Sequence, residues 1–336
     1  MRKHLILCMI LLSLLACNKE QETHKNNSQL VIYATENKAC QGFWQKNSEE
    51  FTELFDCDIE WKIFSESKDL YAELKHDIDS TEIKVDLVLG LDNLTANQAR
   101  IDSVFLQVDL HNFSKLSEKF KILDDKLVPI CYSPMGFIYN TSMQESYPTT
   151  FGELQDGIYQ KKILMPRPGE SAIGNAYLAF SVAAFGRNGY GHFWRSLSDN
   201  IFLSTDSWDL AIDMFLAELA PMILAPVSYV SYFNQLEADR FASFIPQEGT
   251  IYYLEYGAVL ADSETKELAK EYLNYTISDL FQINILQGRA LLPTNKNITV
   301  NIALPKENKI HKLPFTTAQK AKQIPGWSKR WERLTQ

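Results

Sequence analysis

Between residues 30 and 90 the chain alternates three short apolar runs with two segments of helical spacing, and that alternation leaves few folds open. Leu30-Val31-Ile32-Tyr33, Ile59-Glu60-Trp61-Lys62-Ile63-Phe64 and Val85-Asp86-Leu87-Val88-Leu89-Gly90 read as strands. Phe43, Trp44, Phe51, Leu54 and Phe55 fall near helical spacing in the first interval, and Leu70, Leu74 and Ile78 in the second. Such strands bury both faces, and helical crossovers supply the cover. The series therefore predicts an α/β lobe built on a mostly parallel sheet flanked by helices.

A second series follows an extended stretch, Leu127 to Asn140. Lys162-Ile163-Leu164-Met165, Ile201-Phe202-Leu203 and Pro221-Met222-Ile223-Leu224-Ala225 are strands, with helices over Ala172 to Phe185, closed by Gly186, and Trp208 to Leu219. Ile251 to Leu260 is long enough to carry the chain back, and a helix follows over Glu264 to Leu280. Two α/β lobes joined by two extended crossings make a clamshell that holds a ligand between its lobes. The expected divisions are lobe 1 over 29–130, lobe 2 over 131–250, and 251–336 as the return crossing with C-terminal helices.

The N-terminus adds an address. Arg2 and Lys3 precede an apolar run from Leu5 to Ala16, too short for an ordinary membrane-spanning helix and suited to a secretory signal. Leu14-Leu15-Ala16-Cys17 resembles a bacterial lipobox, which implies cleavage after residue 16 and lipid on Cys17. Asn18 to Ser28 is a polar tether. The full chain, with 46% apolar and 22% charged residues, has the composition of a globular protein, and its net charge of −9 disfavours a nucleic-acid partner. Cys40, Cys57 and Cys131 allow one disulfide with a spare thiol, or three buried thiols.

Enzyme motifs are absent: there is no Walker A loop, no G-x-G-x-x-G and no H-E-x-x-H. Gly169-Glu170-Ser171-Ala172-Ile173-Gly174 is one residue too long for a nucleophile elbow. The six histidines are scattered, and no Cys/His spacing suits zinc. Neither catalysis nor a resident metal or cofactor is expected. Candidate ligand contacts follow from position instead. Ligands bind beyond the carboxyl ends of parallel strands, where Glu36, Asn37, Asp92 and Asn93 sit, and Ser171 is an N-cap whose helix start could face an anion. Tyr252 and Tyr253 alternate across a strand, which separates their side chains and argues against a joint metal site.

Val85-Asp86-Leu87-Val88-Leu89-Gly90-Leu91-Asp92-Asn93 strongly resembles the D-V-V-L-G-L-D-N segment of periplasmic thiamine-binding proteins, the solute receptors of thiamine ABC importers. The similarity continues in order through Val128-Pro129, Pro166-Arg167, Ser207-Trp208 and Gln287-Gly288 to the Trp327 and Trp331 tail. It implies a type II periplasmic-binding-protein clamshell, a monomer outside the cytoplasm, an ABC permease partner, and thiamine or a thiamine phosphate as solute; the lipobox adds the membrane anchor at Cys17. The resemblance also implies that Asp92 is the carboxylate that recognises the ligand and that Trp208 packs on it. Three family aromatics are replaced, by Thr35, Pro226 and Ala290, and Tyr229 or Tyr232 could stand in for them. The alternatives are a receptor for another small solute such as ferric iron or an anion, or a scaffolding lipoprotein with a decayed site.

Overall fold

The computed structural model describes residues 28–80, 85–101, 103–120, 126–143, 146–311 and 323–335. The signal segment, Cys17 and the tether up to residue 27 lie outside them.

Among the described residues ten strands form: β1 Ser28–Thr35, β2 Cys57–Phe64, β3 Leu87–Asp92, β4 Val128–Asn140, β5 Ile163–Pro166, β6 Ile201–Thr205, β7 Met222–Pro226, β8 Phe241–Phe244, β9 Tyr252–Val259 and β10 Leu292–Pro293. Their order is β2-β1-β3-β9-β4-β7-β5-β6, with β8 and β10 also paired to β4. The first lobe holds β2, β1, β3 and β9, and the second holds β7, β5, β6 and β8. The 13-residue β4 belongs to both: Val128–Pro134 pairs with β9, and Met135–Tyr139 with β7. The division expected at 130/131 thus falls inside a continuous strand.

The two-lobed α/β architecture is as expected, but each sheet is mixed rather than mostly parallel. β1 pairs in parallel with β2 and β3, and β5 with β6 and β7. The crossing strands run the other way: β9 is antiparallel to β3 and β4, and β4 to β7. Helical crossovers return a chain to the same edge and force parallel pairing, whereas a strand entering from the other lobe has no such constraint.

The helices follow the apolar spacing with three breaks, one of them inside the expected Glu264 to Leu280, which divides into Lys266–Thr276 and Asp279–Gln282. The first interval holds two short helices, Phe43–Lys46 and Glu49–Phe55. Helix Ala172–Leu197 is interrupted at Gly186, whose φ of +70° is left-handed; the expected stop is there, and a second helical stretch resumes beyond it. The C-terminal helix Ile324–Thr335 packs on the second lobe: Trp331 meets Trp194 edge-on at 5.9 Å, and Ser328 donates to the Pro168 carbonyl at 2.9 Å. Cys40, Cys57 and Cys131 are three buried free thiols, so of the two cysteine readings the structure shows the one without a disulfide. Cys131 Sγ lies 3.3 Å from Glu255 Oε2 and the Cys40 thiol approaches the Asn37 carbonyl, each occupied within its own neighbourhood.

Candidate solute-binding cleft

A cavity lies between the lobes. The first lobe lines it with Thr35, Glu36, Asn37, Ser65, Glu66, Ser67, Tyr253, Glu255 and Arg289, and the second with Ala172, Ile173, Trp208 and Tyr229. Most of these residues follow the carboxyl end of a strand or open a helix, because there the backbone turns away and leaves side chains and free amides facing outward.

Glu36 follows β1 directly, and its carboxylate accepts from the Gly42 amide at 2.9 Å and the Trp44 amide at 3.1 Å. It therefore caps the start of helix Phe43–Lys46 from the cavity wall. Asn37 donates from Nδ2 to Tyr229 Oη across the cleft at 2.8 Å. Tyr229 meets Trp208 edge-on, with ring centroids 5.2 Å apart and planes at 82°. Ser207 caps the helix that Trp208 opens, accepting from the Leu210 amide. These contacts make an aromatic wall on one lobe face a carboxylate on the other.

The floor is a buried ion pair. Arg289 pairs with Glu255, donates from Nη1 to the Thr35 carbonyl at 2.9 Å, and lays its guanidinium 4.6 Å from the Trp44 ring centroid. The arginine is thereby committed within the protein, buried rather than on the surface, and its charge is balanced.

Asp92 takes a different place from the one expected of it. It is buried, and its carboxylate accepts from the Leu94 amide at 2.8 Å and from Thr95 Oγ1 at 2.6 Å, capping helix Asn93–Ile101. Burial raises its pKa and these hydrogen bonds oppose the shift. Asn93 ties that helix to β9, accepting from the Leu254 amide at 2.6 Å and donating to the Tyr252 carbonyl. Ser171 accepts from the Ile173 amide as N-cap of the long second-lobe helix. None of these three is among the residues lining the cavity, though Ser171 sets the Ala172 amide facing it. Glu36, Trp208 and Tyr229 do line it. Among the replaced aromatic positions only Thr35 reaches the cavity; Pro226 ends β7, and Ala290 sits in a left-handed turn whose carbonyl accepts from Ser228 Oγ. Tyr252 and Tyr253 part as alternation requires, Tyr253 into the cavity and Tyr252 against Phe120 and Tyr132.

Glu66 is the residue that sequence reasoning missed. It stands two positions beyond β2, the same kind of place that singled out Glu36, so the signal was available. Its carboxylate crosses the cleft, Oε2 accepting from the Ala172 amide at 3.0 Å and Oε1 from the Trp208 amide at 3.3 Å. Burial raises its pKa to about 7; the two amides and Lys68 oppose that rise, and Asp92 adds to it.

More contacts close the lobes: Lys38 bonds Asp209 through its amide at 2.9 Å and Asp213 through its ammonium, and Lys68 pairs with Glu170. Between them the cavity keeps only about 20 Å³ of free room, which is about one or two waters.

Two sheets sharing a crossing strand, with a polar and aromatic cavity at the junction, define a two-lobed solute receptor. The chain belongs to the bacterial extracellular solute-binding proteins, whose family profile matches residues 83–321. It is 25% identical to the thiamine-binding periplasmic protein of Brucella abortus over 98% of this chain and 99% of that one. Among solved structures, a periplasmic thiamin binding protein superposes with a TM-score of 0.78 at 23% identity, covering 92% of this chain and 97% of that one. The ferric binding protein of Campylobacter jejuni superposes at 0.73 with 14% identity, covering 91% and 99%. The fold is that of the type II periplasmic binding proteins.

Proposed function

We propose that this protein is the lipid-anchored receptor of an ABC importer and captures thiamine or a thiamine phosphate between its lobes. One observation carries the reading: Trp208, Tyr229 and Tyr253 share a cavity with the carboxylates of Glu36 and Glu66, while the single arginine there is already balanced by Glu255. Aromatic faces with unbalanced carboxylates suit a flat cationic solute. Thiamine-binding relatives that align over nearly the whole chain support the same solute. Tyr229 and Tyr253 supply the aromatic surface that Thr35, Pro226 and Ala290 do not.

Solute enters with the lobes further apart than they stand here, because a solute of this size needs a few hundred Å³. Opening breaks the bonds of Asn37, Lys38, Glu66 and Lys68 across the cleft, and the bend falls in β4 and in the connection from β8 to β9. Closure then brings both lobes onto the solute, with contacts to it added to those bonds across the cleft that re-form, and the permease receives the closed form.

Thiamine at about 100 times its dissociation constant is expected to stabilise the protein by about 2.7 kcal/mol, read as a rise in melting temperature. Trp208→Ala should weaken binding by about tenfold or more. No thermal shift with thiamine or its phosphates, together with a shift from ferric iron or a small anion, would reassign the solute. The lipid anchor is tested apart from the site: Cys17→Ala should move the protein from the membrane fraction to the soluble extracytoplasmic fraction, and continued anchoring would refute lipid on that residue.

A further inference from the structure

Both amides that hold Glu66 are the first of their helices, Ala172 opening the helix capped by Ser171 and Trp208 the helix capped by Ser207. First-turn amides have no partner within their own helix, and the aligned peptide dipoles make that end positive. Two such ends converge on one point of the cleft. The group found there is a carboxylate, and it arrives from the opposite lobe.

The charges around it do not favour an anion. Asp92 lies behind Glu66 on the same lobe, and Glu36 and Glu255 line the same cavity. The nearby cations are engaged, Lys68 with Glu170 and Arg289 with Glu255. Tyr229 and Tyr253 complete the surroundings as neutral phenols, held unionised by burial. The helix-start amides of Ala172 and Trp208 are where a phosphate would be drawn, and Glu66 already holds both.

We infer that Glu66 is an internal competitor for the anion place of the cleft and so sets the receptor's charge selectivity, favouring a cationic solute over the same solute carrying a phosphate. The inference rests on the thiamine reading and decides between its two forms. A phosphorylated solute must displace Glu66 from Ala172 and Trp208 and leave a buried carboxylate without donors. The unphosphorylated cation has no such competitor and gains from the negative charge.

Protonation bears on the same contact. With its pKa raised to about 7, Glu66 is charged above neutrality and neutral below it. The preference for the unphosphorylated cation is therefore greatest at pH 8 and declines toward pH 6. Lys68, Asp92, Glu36, Glu255, Arg289, Tyr229 and Tyr253 are the charged or titratable groups around it, and none of them should remove the difference between parent and variant.

The test is calorimetry of the purified protein and of its Glu66→Ala and Glu66→Gln variants with thiamine, thiamine monophosphate and inorganic phosphate. The parent is expected to prefer thiamine. In both variants the monophosphate should gain on thiamine by about tenfold or more, as expected when a charged hydrogen-bonding competitor is removed. Inorganic phosphate should fail to bind the parent and should bind Glu66→Ala. The parent's preference should weaken from pH 8 to pH 6, and that of Glu66→Gln should change less. A parent that prefers the monophosphate, or variants whose ratio stays within about threefold of the parent's, would overturn the inference. If no form binds thiamine or its monophosphate, the thiamine reading fails, and the phosphate arm alone decides the role of Glu66: binding gained on its removal supports it, and no gain refutes it.

Discussion

Arg289→Met is expected to cost about 3–5 kcal/mol of stability, because removing one partner of a buried ion pair leaves the other charge uncompensated. For a chain of this size the loss corresponds to a fall of roughly 5–8 °C in melting temperature. Arg289 is 1% exposed and joins three parts of the first lobe. Its guanidinium pairs with Glu255 on β9, binds the Thr35 carbonyl at the end of β1, and stacks over Trp44. Glu255 has two weaker neighbours, the Cys131 thiol at 3.3 Å and Tyr253 Oη at 3.4 Å, and neither carries a positive charge. Adding Glu255→Gln to Arg289→Met should recover part of the loss, since the stranded carboxylate is then neutral. A single variant that loses less than about 1 kcal/mol would show that the pair's desolvation cancels its attraction.

Gly174→Ala should cost about 1–3 kcal/mol and weaken solute binding as well, because the added methyl group is overpacked against atoms that cannot move aside. A Cβ on Gly174 would stand 2.4 Å from the Pro166 carbonyl oxygen and 2.6 Å from the carbonyl carbon and oxygen of Arg167. These are backbone atoms at the end of β5 and the start of the turn after it, so the helix start must shift rather than a side chain rotate. That shift carries the Ala172 amide away from Glu66 and the Ile173 side chain out of the cavity wall. Calorimetric melting and solute titration of the same preparation separate the two effects. Full affinity with reduced stability would mean that the helix start is not part of the site.

The local elements were legible because periodicity records burial along a single segment. Leu30 to Tyr33 and Leu87 to Gly90 read as strands and are strands, and Gly186 broke the long helix where a residue free to take positive φ stands. The antiparallel pairing of β4 and β9 was not legible, since an apolar run of β-branched residues looks alike in either direction. Within the site, Trp208 was found from the resemblance to the thiamine-binding family, and Glu36 from its place at a strand end. Asp92 was found by the same rule, yet its carboxylate turns back onto Thr95 and Leu94, because a capping bond two or three residues away competes with any ligand for the same oxygen.

The amino-acid order alone determined the alternation of strands and helices, the glycines at the turns, the cap at Ser171 and the acidic composition. Those features depend on neighbours within a few residues, which a linear reading can weigh. Only the tertiary structure decided that Glu66 meets Ala172 and Trp208, that Asn37 meets Tyr229, and that Arg289 is balanced by Glu255. Each of those contacts joins residues 34 to 192 positions apart. Whether a carboxylate faces a solute, a helix start or a guanidinium is settled by which segments pack together, and that choice is made by the whole core.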